Sequence, residues 1–156
     1  MNNNLNVYNN LIKLTRNKIL YLKLDKNETF SDRLVILFLH FGFFLKCYKK
    51  EFSKRESQDL FDFFIRQIEL SIREIGYGDV SINKKMKEYV NLFYSIIKQI
   101  DNWENLDNIG RVNFLTNFLN IDSNSQYYVD YFDKYRKYLI KNTLNKFTKD
   151  IINLKF

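Results

Sequence analysis

A chain of 156 residues with 46% hydrophobic residues is long enough to bury a sizeable core and too apolar to stay disordered. It has no proline and only four glycines, which excludes a turn-rich β-sandwich or barrel and points to long helices. The formal net charge of +7 favours anionic partners, and the single Cys47 excludes both an intrachain disulfide and a paired-cysteine metal site.

The first helix is expected over residues 5–18, with Tyr8, Leu11, Ile12, Thr15 and Ile19 in one stripe. Residues 22–30 break the period and read as a loop. Ser31 or Asp32 then caps a helix through about Lys49. Its apolar residues fall on nearly every face, the pattern of a central helix covered on most sides. The run Leu34–Leu45 falls short of the roughly 20 residues a membrane span needs, so it reads as a core helix.

Ser57 is the expected cap of a third helix ending at Ile75, where Leu60, Phe61, Phe64, Ile68 and Ile72 keep helical spacing. Glu69 and Arg73 stand at i,i+4 on its outer face in the favourable order. Gly76 suits the left-handed position just past a helix end. The chain then turns through Tyr77-Gly78-Asp79 and starts a fourth helix near Ile82, giving a helix–elbow–helix at residues 73–82. Lys84, Lys85 and Lys87 crowd the electropositive start of that helix, against the usual preference.

Residues 101–108 read as a loop, 109–119 as a short helix and 122–125 as a turn. A last helix from Gln126 carries Tyr128, Tyr131, Phe132, Tyr135 and Leu139, and runs on through Phe147, Ile151 and Leu154. The expectation is a single all-α domain over residues 1–156, a compact bundle of about six helices. The opening MNNNLNVYNN has neither the basic nor the apolar part of a secretory signal.

The residues assemble no catalytic set. There is no GxSxG elbow, no HExxH and no cysteine–histidine partnership, so the reading is a protein that is not an enzyme and needs neither cofactor nor metal. His40, the only histidine, lies between Leu39 and Phe41 and reads as a hydrogen-bonded core residue before a haem ligand. Gly76-Tyr77-Gly78-Asp79 fails as a phosphate loop: no strand precedes it, no lysine follows, and Asp79 would repel the phosphate. Alanine is absent, while Asn, Lys, Ile, Tyr and Phe abound. AT-rich codons encode those five residues, so neither the aromatics nor the lysines need be a nucleic-acid device. The lysines and arginines of the last helix, from Lys134 to Lys155, keep a basic RNA- or ribosome-binding helical protein open as an alternative.

Three stretches carry a resemblance to one family. SDRLVILFLHFGFFL (31–45), LFDFFIRQIELSIREIGYGDVSINKKMKEYVNLFY (60–94) and the spacing Tyr8…Arg16…Tyr21 are together similar to the ubiquinol–cytochrome c chaperone family, assembly factors of the cytochrome bc1 complex. Ile75 stands where the family tends to have methionine, and Asn83 where it often has proline. The resemblance implies an all-α chaperone of the respiratory chain that binds newly made cytochrome b as its client and transforms nothing. It also implies a small partner protein and ribosome contact in mitochondrial relatives, and weak peripheral membrane association. The expected place is the bacterial cytoplasm or the cytoplasmic face of the inner membrane, or the mitochondrial matrix for an organellar member. The positions it marks as partner-binding are Arg33, His40, Arg73, Glu74, Gly76, Gly78, Asp79, Lys85 and Met86.

Overall fold

The computed structural model describes residues 3–149, and among them there are eight α-helices and no strand. They are α1 (Asn3–Thr15), α2 (Lys18–Leu22), α3 (Phe30–Tyr48), α4 (Lys54–Ile75), α5 (Asp79–Asp101), α6 (Asn108–Leu119), α7 (Ser125–Lys141) and α8 (Leu144–Lys149). The all-α expectation holds, with more and shorter pieces than six.

The helix starts are decided by capping chemistry. Thr29, not Ser31 or Asp32, caps α3: its hydroxyl accepts from the Asp32 amide while the Asp32 carboxylate accepts from the Thr29 amide. Ser53, not Ser57, caps α4 by the same reciprocal bonds with Glu56. Each box satisfies two amides that a helix start leaves without partners. Asn17 caps the short α2, accepting from the Ile19 amide, so the segment after α1 re-forms a helical turn where a loop was expected.

The long C-terminal helix is broken. At Asn142 the backbone turns extended and its side chain donates to the Tyr138 carbonyl. The Thr143 hydroxyl then caps α8, accepting from the Lys146 amide. Short polar side chains that compete for backbone groups interrupt a helix whose apolar period continues across the break. The expected positions Ile151 and Leu154, and Lys155, lie outside the described residues.

Helix α3 is the axis of the bundle. From Leu34 to Phe44 every residue is buried, and α1, α5, α6 and α7 pack around it. The Phe41 ring stacks on Phe64 of α4 at 3.6 Å and on Phe93 of α5 at 5.2 Å. Gly42 lets α5 come close, since a β-carbon there would sit 2.5 Å from Ile100 Cδ1. The tyrosines of α7 are core residues: Tyr128, Tyr131 and Tyr135 are all buried. Much of the aromatic excess is therefore spent on packing.

Candidate functional site

The elbow is tighter than the sequence suggests. Gly76 ends α4 with φ 104° and ψ 17°, a conformation a side chain would strain, and its amide bonds back to the Arg73 carbonyl. Gly78 is different. Its φ of −75° and ψ of 162° suit any residue, and a β-carbon there meets nothing within 4 Å. Gly78 caps α5, which begins at Asp79, three residues before the expected start.

Two contacts brace the turn. Arg73 donates to Asp79 Oδ1 at 2.7 Å and to Glu69 Oε1 at 3.2 Å, so one guanidinium ties the last turn of α4 to the first turn of α5. Lys85 places its ammonium 5.7 Å from the centre of the Tyr77 ring. Around these braces the surface is open. Residues 73–81 are all exposed, Val80 at 85%. Glu74, next to the brace, is exposed as well.

A groove lies beside the elbow, between α1, α2, α3 and α4. It encloses about 500 Å³, and Tyr8, Ile12, Arg16, Tyr21, Arg33 and Ile68 are among the residues that line it. Tyr8 packs edge-on against Phe63 and Phe64 and is hydrogen-bonded to Ser71. Burial raises the Tyr8 hydroxyl pKa, and Arg16 and Ser71 oppose the rise; Glu74 of the elbow adds to it. The groove therefore reaches electrostatically to the elbow. Burial, with Glu28 adding, pushes Tyr21 up to about 12, so its hydroxyl stays a donor, here to the Thr15 carbonyl. Arg33 sits at the groove mouth, 3.7 Å from Glu28 and over the Phe30 ring. The arrangement offers an apolar floor, hydroxyls and cations, which suits binding a polypeptide segment.

The expected site residues thus divide. Arg73, Glu74, Gly76, Gly78, Asp79 and Lys85 gather at the elbow. Met86 is half-buried against the core beneath it, and Arg33 belongs to the groove. His40 joins neither. It is fully buried in α3, with Nδ1–H donating to the Ile36 carbonyl at 2.7 Å and Nε2 accepting from the Tyr131 hydroxyl at 2.7 Å. A carbonyl can only accept, which fixes the proton on Nδ1. Burial pushes its pKa down to about 4. Tyr131, Phe132 and Tyr135 enclose the ring, so His40 ties α3 to α7 and presents nothing to a partner at the surface. Among the described residues no group of three His, Cys, Asp or Glu is placed to hold a metal, and no helix is long and apolar enough to cross a membrane.

Tyr8, Arg16 and Tyr21 were visible in the sequence as a spacing, without a site to belong to. Their convergence with Arg33 on one groove supplies it. The family model described as ubiquinol-cytochrome C chaperone matches residues 22–107, more than half of the chain. The chain belongs to the ubiquinol-cytochrome C chaperone family. The matched span holds α3, α4, the elbow and α5, and with them most of the groove wall. Membership makes this chain a chaperone with a protein client. Searches of curated proteins and of solved structures returned no match.

Proposed function

We propose that this chaperone holds newly made cytochrome b during assembly of the cytochrome bc1 complex, gripping a segment of it in the groove between α1 and α4 while the elbow sets its direction. The observation that carries the reading is a convergence. Tyr8, Arg16, Tyr21 and Arg33, scattered over 26 positions of sequence, line one groove whose electrostatics reach the elbow.

The division of labour follows from physical chemistry. The apolar floor at Ile12, Leu34, Leu37 and Ile68 gives affinity by burying client side chains. The hydroxyls and cations at the rim orient a backbone and its polar groups, which suits specificity more than raw affinity. Gly78 fits the same reading: the fold does not need glycine there, and a bare backbone at an exposed turn lets a client approach closely. Holding without transforming needs no catalytic group. On this reading the protein works at the cytoplasmic face of the inner membrane, or in the matrix for an organellar member, where the client is made.

The test is affinity co-purification from native membranes. The wild-type chain is expected to bring down cytochrome b, and Arg33→Glu to bring down several-fold less at unchanged protein yield. Equal recovery of cytochrome b by both would remove the groove from the proposal.

A further inference from the structure

Helix α2 carries an exposed surface that client binding in the groove does not use. Ile19 is 50% exposed and Leu22 is 76% exposed, and at i,i+3 they share one face. This is not a fraying turn. Leu20 and Leu24 are buried on either side, the Tyr128 hydroxyl donates to the Leu20 carbonyl, and Asn124 donates to the Lys23 carbonyl at 3.1 Å. Two aliphatic side chains are thus held outward by a rigid base.

Cations surround them. Lys18 and Lys26 border Leu22 in one shallow depression, and Lys18 and Arg16 reach into the neighbouring groove. Residues 16–33 hold five cations against three acids. Lys26 pairs with Asp32 and Arg33 with Glu28, and Lys23 lies over the Tyr127 ring. Among the described residues Arg16 and Lys18 have no acidic partner, and Asp25 is the one acid left to oppose them and Lys23. The elbow makes the contrast. Its residues 69–88 carry four cations and four acids, so its exposed Val80 stands in a balanced field.

We propose that the α2 face, with Ile19 and Leu22 at its centre and Arg16, Lys18 and Lys23 around them, seats this protein on an anionic lipid bilayer. Protruding aliphatic side chains enter the headgroup–acyl boundary, and the cations meet lipid phosphates. A nucleic acid would use the same cations. It has no use for branched aliphatics at the centre, because bases stack on aromatic rings and guanidinium planes. The seat stands on its own, whatever the groove holds.

The experiment is co-sedimentation of the full chain with phosphatidylcholine vesicles, with and without phosphatidylglycerol, at low and moderate salt. Binding is expected only with phosphatidylglycerol. Arg16→Glu with Lys18→Glu should weaken it about tenfold or more, and Ile19→Asn with Leu22→Asn by about the same factor. All substituted side chains are on the surface, so circular dichroism melts should match the wild type and separate lost binding from lost fold. Three results overturn the proposal. One is no binding to either vesicle. Another is full binding by the Ile19→Asn, Leu22→Asn variant. The third is displacement by oligouridine RNA that the same variant resists equally well, which would make the face a nucleic-acid surface.

Discussion

Arg73 and Asp79 meet across the elbow at 2.7 Å, the one on the last turn of α4 and the other on the first turn of α5. Both are exposed, so the bond fixes the direction of the turn more than it stabilises the fold. That distinction is testable. Exchanging the two charges, Arg73→Asp with Asp79→Arg, keeps a cation opposite an anion and reverses the polarity shown to a client. The melting temperature should move little, while recovery of cytochrome b should fall. Unchanged recovery would mean that the elbow's polarity is not read.

The two glycines of the elbow should answer differently. Gly76→Ala forces a side chain onto φ 104° and should cost about 1–2 kcal/mol in denaturant unfolding. Gly78→Ser sits in an ordinary conformation at a cap position and should leave stability within about 0.5 kcal/mol. If Gly78 is bare so that a client can approach, the serine variant loses binding without losing stability. A serine variant that binds normally would leave Gly78 without a role at the site.

His40 sets a pH window. Its pKa is about 4 in the fold and about 6.5 in the unfolded chain, so between these values only the unfolded chain takes up the proton. The contribution of its burial is full above pH 6.5 and is lost as pH falls towards 4, by about 3 kcal/mol in all. His40→Gln should be less stable than wild type at pH 7, and the gap should close on acidification. A gap that stays constant from pH 7 to 4 would contradict the buried neutral imidazole.

Asn10 holds the C-terminal end of the described chain. Its amide donates to the Phe147 and Thr148 carbonyls, both at 3.0 Å. Asn10→Ala should cost about 1–2 kcal/mol and speed amide hydrogen exchange in α8 selectively. Uniformly faster exchange throughout the protein would show instead that α8 does not open on its own.

The long helices were legible because α3, α4 and α5 each repeat their apolar spacing for several turns. Their starts were legible too, on closer reading. Thr29-x-x-Asp32 and Ser53-x-x-Glu56 are capping boxes, whereas Ser31 and Ser57 lack an acidic residue three positions on. Helix α2 is too short for a period to show, and Asn142-Thr143 breaks a pattern that looks continuous. The groove is a different matter. Tyr8, Arg33 and Ile68 become neighbours only when α1 and α4 pack about α3, a long-range fact that local spacing does not carry. His40 was marked by likeness to the family, and the structure explains the mark by packing: one ring joins α3 to α7.

The most direct measurement is site-specific photo-crosslinking in cells making cytochrome b. A benzoylphenylalanine at Ile12, on the groove floor, is compared with one at Ile140, which is 62% exposed on α7 and lines no part of the groove. The groove account predicts a cross-link from position 12 to cytochrome b and none from position 140. A cross-link from position 140 alone, or from neither position in a chain that still co-purifies with cytochrome b, would contradict it.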